Sequence, residues 1–245
     1  MAPRRTKRVP RIEAFDFPPG RVLAGNYKVE SKLGSGWEGE VYRVVERRTG
    51  VHRAAKLFFP HRNEKDRAVT FYARKLDRLK DCPIVIQYVH SEHIRHRGVP
   101  ITCLISEYVE GELLQAYIDR HSGKRLHPFE AMHLLHALAR GMEQVHRHRE
   151  YHGDLHSENV MVRRRGIFFD VKVVDFYHWG APTTARIRED VFDLIKLFYD
   201  ALGGRRHYAK QSAEVKAICR GLRRDLIAKS FPSVQHLREH LETGS

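Results

Sequence analysis

HGDLHSENVMV, residues 152–162, sets Asp154 and Asn159 five residues apart, just ahead of an apolar run. A packed core has no use for that spacing. A metal–phosphate site does. A second acid, Asp175, closes the β-like run KVVDF further along the chain. Oxygens from Asn159 and Asp175 suit Mg2+, a hard cation that keeps several waters and binds through few protein ligands plus substrate phosphates. Asp154 is then available to orient an acceptor hydroxyl and take its proton. Taken singly, each of these residues reads equally well as a turn or cap residue.

Two features earlier in the chain bear on the choice. Gly34-Ser35-Gly36-Trp37-Glu38-Gly39 lies between two strand-like runs, YKVESKL and EVYRVVER. A strand, not a helix, follows Gly39, which disfavours a dinucleotide fold. The alternatives are a plain hairpin turn or a hairpin lying over phosphates, where the missing Cβ atoms let backbone N–H groups approach anionic oxygens. Lys56 sits in the apolar strand AAKLFF. Desolvating its ammonium requires a partner, which a triphosphate supplies, unless the side chain reaches water at the strand end.

The rest of the chain sorts into a strand-rich front and a helical back. Residues 1–24 read as a basic flexible arm, 25–109 as a β-rich lobe with one main helix over about 64–80, and 110–245 as a helical lobe. Asn63 is the expected cap of that first helix. Strands are expected over IVIQYVHSEHI and ITCLISEYV. Pro128 opens a long helix with apolar residues at 132, 135, 138, 142 and 145. NVMV and FFDVKVVDF form a hairpin across RRRG. Residues 189–202 form a helix ended by Gly203-Gly204, and two more helices complete the chain.

Charge and cysteine content narrow the classes. The chain has 44 Lys and Arg against 30 Asp and Glu, a net charge of +14. Arg4, Arg5, Lys7, Arg8 and Arg11 supply part of it, and they make the arm either a solvated tail or a contact for nucleic acid or an acidic surface. No membrane span is expected. Cys82, Cys103 and Cys219 are odd in number and far apart, which points to a reducing, cytoplasmic setting.

Gly-rich loop, strand lysine, YHGDLHSENVMV and VVDFY occur in the order and spacing that resemble the protein kinase superfamily. LISEYVEG resembles the hinge, and the likeness covers roughly residues 27–241. It implies an α+β, bilobal fold with a shortened helical C-lobe. It also implies an ATP-dependent phosphotransferase, foremost a protein serine/threonine kinase using Mg-ATP and a protein substrate. By the same likeness, Gly34, Gly36 and Gly39 cover the phosphates, and Lys56 holds the α- and β-phosphates. Asp154 is the catalytic base, and Asn159 and Asp175 bind Mg2+. Backbone groups near Glu107 and Val109 meet adenine, Val41, Ala54 and Met161 sandwich it, and Ser106 falls at the gatekeeper position.

Several residues depart from the pattern. The stretch at 71–76, Phe-Tyr-Ala-Arg-Lys-Leu, lacks the acid expected to pair with Lys56, which leaves Glu64 or Asp77 as candidates. Gly153 stands where an Arg is usual, so activity is expected not to depend on a phosphorylated activation loop. His156 replaces the usual Lys and resembles small-molecule phosphotransferases of the antibiotic and choline kinase kind. Tyr177 replaces a Gly and should limit movement of Asp175. Asp190 looks like the acid that opens the central C-lobe helix, which makes the activation segment short. Glu38 carries negative charge at the tip of the phosphate loop. A nucleotide-binding pseudokinase is the third reading.

Overall fold

The computed structural model describes residues 11–176 and 180–244. The chain divides into two compact units. The first comprises residues 1–80 and 87–109, and the second residues 81–86 and 110–245.

The first unit is built on a six-stranded antiparallel sheet in the order β1-β2-β3-β4-β6-β5. Its strands are β1 (Val22–Leu23), β2 (Tyr27–Ser35), β3 (Gly39–Glu46), β4 (His52–Phe58), β5 (Tyr88–His96) and β6 (Val99–Glu107). Alternation assigns the two faces. Cross-strand pairs Val41↔Lys56 and Ala54↔Ser106 share one face, while Tyr42↔Ala55 and Glu40↔Leu57 share the other. Tyr42, Val44, Ala55 and Leu57 are fully buried on that second face.

The second face is covered by residues that the sequence assigns to the arm. Ile12, Phe15 and Phe17 are buried in the same cluster as Tyr42 and Leu57. The Phe17 ring stacks on Tyr42 at 5.7 Å, and its N–H donates to the Tyr42 hydroxyl at 3.0 Å. Beside them lies a buried carboxylate, Glu40. It accepts from the Tyr42 hydroxyl, from the Asp16 N–H at 3.2 Å and from Lys32 Nζ at 2.6 Å. Burial and then this carboxylate push the Tyr42 phenol up to about 12. Bonds to Glu40 and Asp16 hold the Lys32 ammonium well above the usual lysine range. From Ile12 onward, then, the segment is a strap rather than a flexible arm: its buried Ile12, Phe15 and Phe17 outweigh its charges. Arg4, Arg5, Lys7 and Arg8 lie outside the described residues, and Arg11 pairs with Glu13 at 2.6 Å.

Helix α1 spans Arg67–Arg78, shorter than expected from the sequence, behind a 3₁₀ turn over Glu64–Asp66. Lys65 and Asp66 adopt positive φ, which breaks the continuous helix. The Asn63 amide oxygen accepts from the Ala68 and Val69 N–H groups across that kink, so it caps a helix that starts later.

The second unit holds β7 (Glu112–Leu113), α2 (Leu114–Asp119), α3 (Pro128–Arg147), β8 (Val160–Arg165), β9 (Phe168–Val173) and α4 (Thr184–Ala201). Four short helices follow: α5 (Gly204–Tyr208), α6 (Ala213–Cys219), α7 (Arg224–Ser230) and α8 (Val234–Thr243). The C-terminal stretch is more broken than the two helices expected, because Arg220, Gly221 and Leu222 all take positive φ. The run Ile84-Val85-Ile86 does not join β5. The Ile84 carbonyl accepts from Val173 N–H at 2.8 Å, and Val85 bridges Val173 in parallel. Ile84 also packs on Gly141 of α3, where an added Cβ would lie 2.4 Å from the Ile84 Cδ1.

Replacing Phe17 with Ala removes one of the two buried Phe rings of the strap. Urea denaturation followed by circular dichroism should show a loss of about 3–5 kcal/mol. A change within error would mean that the strap adds nothing to the sheet.

Candidate active site

The loop between α3 and β8 is held from beneath by one buried carboxylate. Asp190, in the middle of α4, accepts from the His152 N–H at 2.7 Å, the Gly153 N–H at 2.8 Å and His146 Nε2 at 3.0 Å. Gly153 takes φ +83°, a conformation an Arg side chain would strain. His152 is fully buried. Its Nδ1 accepts from the Asp154 N–H at 3.3 Å, so its proton sits on Nε2, which donates to the Val174 carbonyl at 2.8 Å. The imidazole lies 4.6 Å from the Phe176 ring. Val174 N–H in turn donates to the Asn159 carbonyl at 3.0 Å. Loop 152–159 and segment 174–176 are therefore one hydrogen-bonded assembly.

Three oxygen-bearing side chains emerge from it. The Asp154 carboxylate is 52% exposed, with His156 Nε2 3.5 Å away. Asn159 is nearly buried, and its Nδ2 donates to the Asp154 carbonyl at 2.9 Å and lies 2.9 Å from His156 Nε2. With the amide nitrogen so engaged, its Oδ1 is the atom left for a ligand. Asp175 follows β9 at φ +56°, an uncommon conformation for a non-glycine residue and one that re-aims its side chain. Two hard oxygens completed by phosphates fit a divalent cation of the Mg2+ type. No cluster of three or more His, Cys, Asp or Glu that could hold a metal occurs among the described residues.

In the first unit, the hairpin closes with Gly36 N–H donating to the Gly39 carbonyl at 2.9 Å. Gly39 is required by packing, since a Cβ there would sit 1.9 Å from the Leu57 carbonyl oxygen, whereas Gly34 and Gly36 face open space. Trp37 at the tip is exposed under the Arg62 guanidinium, 3.8 Å from its ring centroid. Lys56 Nζ lies 3.0 Å from Glu38 Oε2 and 4.2 Å from the Tyr72 ring centroid. Tyr72 donates its hydroxyl to the same Glu38 oxygen at 2.9 Å. Glu107, at the end of β6, donates its N–H to the Gln87 carbonyl at 2.9 Å, and Ser106 is buried beside it.

The description Protein kinase domain matches residues 27–182. The chain belongs to the protein kinase family. It is 29% identical over 161 residues to a "Probable serine/threonine-protein kinase" of Streptomyces coelicolor, covering 64% of this chain and 23% of that protein. It is 28% identical over 228 residues to cyclin-dependent kinase 15 of Mus musculus, covering 89% of this chain and 49% of that one. Against serine/threonine-protein kinase pkn2 of Myxococcus xanthus it is 30% identical over 162 residues, 65% and 19% respectively. The chain thus spans no more than half the length of these kinases.

Each unit of the protein carries its own share of the expected residues. Gly34, Gly36, Gly39, Val41, Ala54, Lys56, Glu107 and Val109 belong to the first unit, and Asp154, Asn159, Met161 and Asp175 to the second. Glu64 is exposed at the 3₁₀ turn and Asp77 is exposed late in α1, whereas Glu38 lies within ion-pair distance of Lys56. Glu38, at the tip of the hairpin, thus turns its carboxylate toward Lys56 and Tyr72. Asp190 does not open its helix, because Thr183 caps α4 and the helix begins at Thr184. Tyr177 lies outside the described residues. Arg163, Arg164 and Arg165 pair with Glu110, Glu130 and Asp170, which gives that basic run a structural explanation. No helix among the described residues is long and apolar enough to cross a membrane.

Asp193 escaped the sequence reading altogether. Burial, reinforced by Glu189 and Asp190, pushes its carboxyl up to about 7; Asp154 adds to the rise and Arg224 opposes it. Its spacing from Asp190, one helical turn along α4, was the available signal.

Two outcomes follow from these contacts. Asp190→Ala strands two backbone N–H groups, at about 1–3 kcal/mol each. Hydrogen exchange should speed up at His152 and Gly153 and the melting temperature should fall. The Asp193 carboxyl has a folded pKa above its unfolded value, so its contribution to stability is complete below about pH 4 and lost as pH rises through about 7. Asp193→Asn should therefore melt a few degrees higher than the parent at pH 8, with the difference closing near pH 4.

Proposed function

We propose that this kinase transfers the γ-phosphoryl group of Mg-ATP to a Ser or Thr hydroxyl of a protein. The observation that carries this reading is the 152–159 loop locked to segment 174–176 by His152, with an exposed Asp154 beside an immobilised Asn159. Asp154 orients the acceptor hydroxyl and takes its proton as the oxygen attacks the γ-phosphorus and ADP departs. Asn159 and Asp175 would hold Mg2+, which when bound would neutralise charge on the phosphates. Gly34, Gly36 and Gly39 leave backbone room for those phosphates, and Lys56 pairs with the α- and β-phosphates. Val41, Ala54 and Met161 flank adenine, with backbone groups at Glu107 and Val109 as its polar contacts. The relatives named as serine/threonine-protein kinases, 27–30% identical, support the acceptor class.

His156 and the early start of α4 favour a second reading, a small-molecule phosphotransferase. With so little chain between Asp175 and Thr184, there is little material for a peptide platform.

Labelled Mg-ATP offered with purified protein and a clarified lysate separates these. The expected result is label on protein that disappears in Asp154→Ala, while ATP affinity stays within about twofold. Label confined to small molecules would shift the assignment to the second reading. No Asp154-dependent transfer despite ATP binding would identify a pseudokinase.

A further inference from the structure

We propose that Glu38, on the glycine-rich hairpin, is the positioning carboxylate of Lys56, supplying from the loop the counter-charge that helix α1 lacks. This rests on the kinase reading above and deepens it.

The argument starts from the lysine. Its side chain is only 15% exposed and its strand neighbours are apolar, so the ammonium must be neutralised in place. Helix α1 faces it with Tyr72, whose ring lies 4.2 Å from Nζ. A ring face attracts a cation but does not cancel its charge. Glu38 does, with Oε2 at 3.0 Å from Nζ.

Three contacts hold Glu38 at this post. Its carbonyl accepts from the Phe59 N–H at 2.8 Å, which ties its backbone to the chain just beyond β4. The Tyr72 hydroxyl donates to the same carboxylate oxygen that meets Lys56, which orients that oxygen from the helix side. Gly39, with no room for a Cβ against Leu57, sets how closely the hairpin lies on β4. The carboxylate is 27% exposed, screened enough for the pair to matter. Lysine, hairpin and helix are thereby joined at one oxygen. Glu38 contributes without touching the reacting atoms: it holds Nζ in one place on the sheet face shared with Val41 and Ala54.

The test uses the full chain with Glu38→Gln, Glu38→Ala and Tyr72→Phe. The first readout needs no phosphoryl transfer. It is the pH dependence of Lys56 acylation by an amine-reactive ester without nucleotide, followed by peptide mass spectrometry. Glu38→Gln keeps an acceptor for Tyr72 and removes the charge, so the midpoint of Lys56 reactivity should move down by about one pH unit. Tyr72→Phe should move it less. The second readout is steady-state kinetics, where both Glu38 variants should lose about 10- to 100-fold in kcat/KM for ATP at an unchanged melting temperature. An unmoved acylation midpoint in Glu38→Gln would overturn the proposal. So would a rise in turnover, which would make Glu38 an obstacle to phosphate rather than a support. Should the parent protein transfer no phosphate at all, the kinase reading fails, and the acylation midpoint still decides whether Glu38 holds Lys56.

Discussion

A carboxylate sealed from water survives only if donors surround it. Asp190 meets that condition with two backbone N–H groups and one imidazole, all supplied by the end of α3 and the loop after it. The dependence runs both ways. Those N–H groups have no place in a helix or strand ladder, and Asp190 spares them from being orphaned. With the loop's first two residues fixed, His152 can bridge to Val174, and Val174 to Asn159. The exposed Asp154 thus stands on a chain of contacts that begins in the middle of a buried helix.

The first unit solves a different problem with similar means. Its sheet has one face that must stay accessible, carrying Val41, Ala54 and Lys56, and one that must be closed. The closing layer is the segment before β1, with Phe15 and Phe17 laid over Tyr42 and Phe59. Each face holds a buried or half-buried carboxylate bonded to a lysine and a tyrosine: Glu40 with Lys32 and Tyr42, and Glu38 with Lys56 and Tyr72. The two acids are two residues apart on the chain, yet they serve opposite sides. Glu40 alternates to the core side of β3, whereas Glu38 is still in the turn.

Much of this was legible in the sequence because local pattern and tertiary need agree. Pro128 and the apolar spacing of α3, the hairpin around RRRG, and the order of the motifs all translate directly into elements. The failures have physical causes. The strap was hidden by its composition, since Pro18, Pro19 and flanking charges mask three aromatic or aliphatic anchors. Ile84-Val85 looks like the start of β5, but its partner is β9, a long-range pairing no window of sequence reveals. The role of Glu38 is not local either, since its carboxylate meets Lys56 eighteen residues on. Asp193 could not be recognised without knowing how deeply α4 is buried.

The route of the chain through residues 81–86 bears on the order in which the protein is made. Neither unit is a continuous stretch of polypeptide, since that short segment belongs with residues 110–245 while helix α1 before it and strand β5 after it belong to the first unit. On a ribosome, Ile84 emerges about 90 residues before Val173, its hydrogen-bond partner, and at ordinary elongation rates it waits roughly 5–20 s. All six strands of the first sheet are out once Glu107 is, while the Ile84-Val85-Ile86 loop still lacks its partner. Val173 arrives as the last strand of the second sheet, and its pairing with Ile84 retires that loop. In chain order, then, every strand of the first sheet is made before the residue that pairs with Ile84 exists.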